Sequence, residues 1–232
     1  MRRIYKLITI SFFIAISCTG YCQNESLIKE KIEGRVIDTL EINENNVVIH
    51  TIWLNDTLRV KIQDQELTFD FEKMNKAFSG NTSLNTEKGR QEFMQFMKTS
   101  GQNCYSYALE RYFDSNGFGN QRVFNKKTFI GVKTIHQIVD HYFDEIMTFN
   151  THPKRNLKTK LPDNVLLAFI DPLDSISHTI YYSDGVFYTK NGKFKATKFT
   201  NLKKYLKECY TDTKMIKVYR FDKLKLNLSL HP

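Results

Sequence analysis

The sequence predicts an α+β protein in which helices pack on an antiparallel sheet, preceded by a small β unit. Three observations predict it. The last third carries short apolar runs punctuated by Asp184-Gly185 and Asn191-Gly192, the preferred pairs of two-residue hairpins. The middle carries two helical patterns, one opening at Asn103 and one at Thr134. Residues 35–71 carry strand-like runs separated by Asn-rich turns.

Taken in order, the chain opens with a targeting pattern. Arg2, Arg3 and Lys6 form a positive head, Leu7 to Ile16 an apolar stretch, and Ser17, Cys18, Gly20 and Cys22 supply short residues. Residues 1–22 read as a signal peptide cleaved between Cys22 and Gln23, so the protein is expected to be exported, periplasmic or secreted. The alternative is a lipoprotein signal, Ala15-Ile16-Ser17-Cys18, with anchoring at Cys18. No later run has the length of a membrane span.

Residues 23–80 read as a small N-terminal β unit. A short helix is expected at 27–33. Strands follow at 35–42, 47–54, 57–62 and 66–71, with Asn45-Asn46 and Asn55-Asp56 as turns. Trp53, the one tryptophan, is expected to pack. Residues 78–84 read as a linker, and 81–232 as the main α+β domain. Thr86 caps an expected helix to Lys98. A second helix opens at Asn103 and ends near Asn116-Gly117. Residues 118–133 read as irregular. A third helix is expected over 134–149, from Ile135, Ile138, Val139, Tyr142, Phe143, Ile146 and Met147. His136 and His141 lie roughly 140° apart on it and make no helical metal pair. Strands are expected at 164–171, 176–182, 186–190, 194–199 and 215–221, with a short helix capped by Thr200 or Asn201 before the last.

Charge is unevenly spread. Residues 23–100 carry net −3, residues 101–185 net zero and residues 186–232 net +9. The lysines of the last stretch lie along expected strands and read as a solvated face; attraction to an anionic polymer is the weaker reading. The chain has no P-loop, Gly-rich dinucleotide fingerprint, CxxC pair, HExxH motif or internal repeat. No nucleic-acid partner, metal or cofactor is called for.

Signal removal leaves Cys104 and Cys209. Asn103 can cap the helix that Cys104 opens. The free amides and dipole of a first turn favour thiolate over thiol, which suits a nucleophile. The alternatives are a buried structural cysteine or a Cys104–Cys209 disulfide.

If both hairpins take two-residue turns, one sheet face collects His178, Ile180, Tyr182, Phe187, Thr189, Phe194 and Ala196. The other collects Thr179, Tyr181, Tyr188, Lys190, Lys193, Lys195 and Thr197. The first is the more apolar, so His178 opens its strand facing the core.

The order of these parts resembles the papain-like fold in its NlpC-like and CHAP-like branch of cell-wall hydrolases. There a cysteine heads a helix, as in Asn103-Cys104-Tyr105-Ser106. A strand follows, as in Pro162–Phe169. A histidine then opens a strand of the form His-x-x-Tyr before Asp-Gly, as in His178-Thr179-Ile180-Tyr181-Tyr182-Ser183-Asp184-Gly185. The resemblance covers about residues 86–221. It implies an exported cysteine hydrolase cleaving amide bonds in peptidoglycan peptides, with Cys104 as nucleophile and His178 as base. Thr189 stands where the family has a His, Asn or Gln that orients the base; Asn191 is the alternative. The Cys104 backbone N–H is expected to hold the oxyanion, with Gln102 as a candidate substrate-binding donor. The competing reading is a catalytically inactive exported binding module on the same scaffold.

Overall fold

The computed structural model describes residues 34–43, 46–63, 86–88, 91, 101–117, 123–152, 160–192 and 194–222. The signal segment, the helix expected at 27–33, the strand at 66–71, the linker at 78–84 and the tail beyond Asp222 lie outside the described residues. The fold is α+β. Its described residues form two antiparallel sheets and three helices of defined extent. Of the helix expected from Thr86, residues 87, 88 and 91 are described, and they are helical. Among the described residues no helix is long and apolar enough to cross a membrane.

The first sheet has the order β1-β2-β3-β4, from β1 (Arg35–Asn43), β2 (Asn46–Trp53), β3 (Asp56–Gln63) and β4 (Thr128–Ile130). Its fourth strand comes from the stretch read as irregular. Three residues are too few to show a period of two, and Val60↔Ile130 pairing with β3 supplies the order. The β unit expected over 23–80 thus takes a strand from beyond residue 80.

The second sheet has the order β5-β10-β6-β7-β8-β9. Its strands are β5 (Phe143–Asn150), β6 (Val165–Ile170), β7 (Ile176–Ser183), β8 (Val186–Thr189), β9 (Thr197–Phe199) and β10 (Met215–Phe221). The helices are α1 (Cys104–Ser115), α2 (Val132–Tyr142) and α3 (Leu202–Cys209).

The helix expected over 134–149 is corrected. It ends at Tyr142, and Phe143 passes straight into extended backbone as the start of β5. A bulge explains the misreading. Glu145 pairs with Tyr219 and Met147 with Val218, so Ile146 is the extra residue. Phe143 joins the core on one face of the sheet, while Met147 and Phe149 pack on the other. That switch breaks the alternation of a strand and leaves spacings that mimic a helix.

The hairpin turns divide. Asp184-Gly185 makes the expected tight turn, with Ser183↔Val186 and Tyr182↔Phe187, and both turn residues have positive φ. Asn191-Gly192 does not join its strands directly. Phe187 faces Phe199 and Thr189 faces Thr197, not Ala196 and Phe194. The connection is a longer loop held by Lys190 Nζ donating to the Phe194 carbonyl and Phe194 N–H to the Asn191 carbonyl. The three-residue shift stacks Phe187 on Phe199 and Phe199 on Tyr205 of α3, with centroids 4.9 and 4.1 Å apart.

Both faces of the second sheet are buried at its central strands, while the edge strands β5 and β9 are largely exposed. Leu166, Ala168, Ile170 and Tyr181 share a core with α1, α2 and the first sheet, around Trp53, Phe113 and Phe124. Val165, Leu167, Phe169 and Ile180 share another with Leu202 and Leu206 of α3. The face expected to be solvated is therefore covered around Thr179 and Tyr181, which are buried. β6 is buried along its whole length, as a central strand between two layers must be.

Candidate functional site

Local sequence fixes the head of α1. The Asn103 side chain accepts from the Ser106 N–H at 3.3 Å, and Ser106 Oγ accepts from the Asn103 N–H at 3.2 Å, a reciprocal capping box. The remaining polar atoms dock the cap on β4. Asn103 Nδ2 donates to the Ile130 carbonyl at 2.8 Å and Ser106 Oγ to the Thr128 carbonyl at 2.6 Å.

Cys104 is thereby held in the first turn against β7. Thr179 Oγ1 donates to the Cys104 carbonyl at 3.1 Å, and backbone N–H groups of Thr179 and Tyr105 act on its sulfur. β8 pairs with residues 181–183 of β7, so Thr179 lies past the end of that ladder. Both cysteines are free thiols, Cys104 buried and Cys209 exposed, and the disulfide is not formed. The expectation of a lowered thiol pKa is also corrected. Burial pushes the Cys104 thiol up to about 12, against the smaller opposing effect of the backbone N–H groups. Removing a thiolate from water costs more here than the helix terminus returns.

His178 lies one residue away on the other side of the sheet, over Phe169 and beneath α3. Its ring stacks on Tyr210 with centroids 4.3 Å apart. Nε2 is 2.7 Å from Thr189 Oγ1 and 3.3 Å from the Tyr205 hydroxyl; Nδ1 is 2.8 Å from the Tyr210 hydroxyl. Thr189 Oγ1 lies 3.2 Å from the Tyr205 hydroxyl, which donates to Asn191 Oδ1 at 2.6 Å.

One proton arrangement uses the shortest of these bonds and satisfies every group. Nε2–H donates to Thr189, Thr189 to Tyr205, Tyr205 to Asn191, and Tyr210 to Nδ1. The imidazole is neutral, because burial pulls its pKa down to about 3. Both ring nitrogens are thus engaged by hydroxyls and neither by Cys104.

The expected residues fare differently. Thr189 meets His178, on the sheet face the first hairpin implied. Asn191 does not touch the ring; it anchors the two tyrosines. The Gln102 amide donates to Glu110 on α1, so its nitrogen is turned along the helix. Tyr205 and Tyr210 were missed as site residues. Tyr205 lies on the inner face of α3, where nothing in its spacing distinguishes a polar tip at the site from packing bulk. Tyr210 follows the last residue of that helix, where periodicity ends.

His136 and His141 stand apart, His136 Nε2 accepting from the Ile176 N–H at 3.3 Å and His141 Nδ1 lying 2.8 Å from Asp56 Oδ2. Among the described residues no group of three or more His, Cys, Asp or Glu is gathered as a metal site would need. No family model, curated protein or solved structure matches the chain.

Proposed function

We propose that the protein is an exported cysteine hydrolase of the papain-like, NlpC-like kind, cleaving amide bonds in peptides, with peptidoglycan peptides as its substrate. The observation that carries this reading is the bond from Thr179 to the Cys104 carbonyl, which fixes the head of α1 against β7 at the residue next to His178. The Thr189 contact with Nε2 supports it, since an oriented base needs one nitrogen held; the other, Nδ1, is held by the Tyr210 hydroxyl in this structure.

The chemistry runs through these side chains. The step requires the Tyr210 hydroxyl to leave His178 Nδ1 and the ring to reach the sulfur; the Cys104 sulfur then attacks the amide carbonyl carbon while its proton passes to Nδ1. The displaced electron pair rests on the carbonyl oxygen, held by the Cys104 backbone N–H. The C–N bond breaks as Nδ1–H protonates the leaving amine. Water then attacks the thioester, His178 again taking a proton, and the acid and thiol are released.

A second reading is favoured by one observation. A histidine about 1 % exposed, with both nitrogens bonded to hydroxyls, is also what a purely structural histidine looks like. It makes the protein a binding module without hydrolytic activity. Trapping separates the two. Protein mixed with soluble peptidoglycan peptides and quenched in acid is expected to carry an acyl group on the Cys104 peptide by mass spectrometry. Its absence, with peptide still bound, favours the second reading.

A further inference from the structure

A cleft of about 170 Å³ lies between α3, the end of β5 and the loop that leads into β10. Leu206 and the ring of Tyr210 give it apolar walls. Lys203 and Lys207, one turn apart on α3, bring two ammonium groups to it. Neither has an ion-pair partner among the described residues, since Glu208, the one acid on α3, faces Lys204 at 3.9 Å. Among the described residues no acidic side chain lines the cleft. The carbonyl end of α3 accounts for Lys207 in its last turn, but not for Lys203 a turn earlier.

The opposite wall carries hydrogen-bonding capacity that the fold does not use. Thr151 Oγ1 donates to the Thr213 carbonyl at 2.5 Å, so it accepts from His152 Nδ1, 3.2 Å away. The imidazole is thereby held at the cleft by one nitrogen. Thr213, also on the cleft, is 3 % exposed. Its N–H and carbonyl are engaged by Tyr210 and Thr151, yet its hydroxyl has no partner. An unpaired buried hydroxyl costs free energy that an acceptor in the cleft returns. A solvated lysine face explains neither that hydroxyl nor the apolar walls. Size narrows the ligand further, because an apolar cavity of ~150 Å³ takes one benzene-sized molecule.

We propose that this cleft is a binding site for a small carboxylate carrying one apolar side chain. The carboxylate lies between Lys203 and Lys207 and accepts from the Thr213 hydroxyl, and the apolar group packs on Leu206 and Tyr210. Neither Cys104 nor His178 lines the cleft, so the site stands whether or not the protein is a hydrolase.

The test uses the full chain and N-acetyl-leucine at millimolar concentration, followed by nitrogen-resolved NMR of the backbone amides. Saturable shifts are expected at Lys203, Leu206, Lys207 and Thr211. The Lys203→Ser, Lys207→Ser variant, altered only at exposed side chains, is expected to bind about tenfold more weakly. Thr213→Val keeps the shape of the side chain and removes the hydroxyl. It is expected to weaken binding about tenfold without lowering the thermal midpoint of the free protein. Absence of shifts overturns the site, and so does undiminished binding by the lysine variant. A lowered midpoint with unchanged affinity in Thr213→Val contradicts the role given to the hydroxyl.

The ligand class is read from three further probes. N-acetyl-leucinamide, which lacks the charge, is expected not to bind; equal binding overturns the carboxylate. Inorganic phosphate is expected to bind more weakly than N-acetyl-leucine; equal binding overturns the apolar half of the site. Ala-Ala-Leu binding alongside N-acetyl-leucine supports the C-terminal residue of a peptide as the ligand, and N-acetyl-leucine binding alone supports a free acid.

Discussion

The Tyr210 hydroxyl sits on Nδ1 of His178, and the two rings stack at 4.3 Å. This contact keeps the imidazole dry and neutral, and it gives folding a defined pH dependence. The ring titrates at about 6.5 when free and about 3 when folded. The unfolded chain therefore takes up a proton that the folded chain refuses. Stability is complete above the free value and falls as pH drops toward the folded one, by about 1.4 kcal/mol per pH unit from this group. Urea unfolding is expected to show a loss of about 2 kcal/mol between pH 7 and pH 5 that His178→Gln lacks. An equal loss in the variant contradicts it.

The resting thiols are expected to react in an order opposite to the one that a helix-terminal cysteine suggests. Cys104 is 7 % exposed with its thiol held up to about 12, whereas Cys209 is exposed. Iodoacetamide at neutral pH should label Cys209 first, with Cys104 following only slowly. Faster labelling of Cys104 in the unliganded protein means that its sulfur is more open and more acidic than its packing allows.

The capping box joins α1, the first sheet and Cys104. Asn103→Ala removes the cap and strands the buried Ile130 carbonyl. Together these are expected to cost about 2–4 kcal/mol, measured by denaturant midpoint. Asn103→Asp keeps the acceptor for Ser106 but loses the donor to Ile130, so its loss should be smaller. Equal losses indicate that the cap is not what holds Cys104 in place.

The two sheets are expected to unfold together. Leu58 on β3 is fully buried in the same core as Phe113 and Tyr181. Leu58→Ala is expected to cost about 2–5 kcal/mol and to move one transition, seen alike by tryptophan fluorescence and far-UV circular dichroism. Two separate transitions, only one of them shifted, contradict a shared core.

Much of this was legible in the sequence, for reasons that differ by residue. Asn103 and Ser106 announced the head of α1 because a cap is a local device. Asp184-Gly185 announced its turn, and with it the face shared by His178 and Thr189, because positive φ at adjacent residues narrows the choice of sequence. Asn191-Gly192 misled because Asn191 is committed to two tyrosines distant in sequence, a tertiary demand that overrides turn preference. Phe143–Asn150 misled because a bulge counterfeits helical spacing. The lowered thiol pKa failed because burial depends on what packs over a terminus, which no local pattern reports. Tyr210 was illegible for the same reason: its meaning lies in the ring it covers.

Hydrolysis itself decides the functional reading. Purified peptidoglycan is incubated with the wild-type protein, Cys104→Ala and His178→Ala, and new carboxyl and amino ends are counted in the released peptides by mass spectrometry. The expected result is release by the wild type alone, with Thr189→Val retaining a reduced rate. Release that survives Cys104→Ala, or none from the wild type, contradicts an amide hydrolase built on Cys104 and His178.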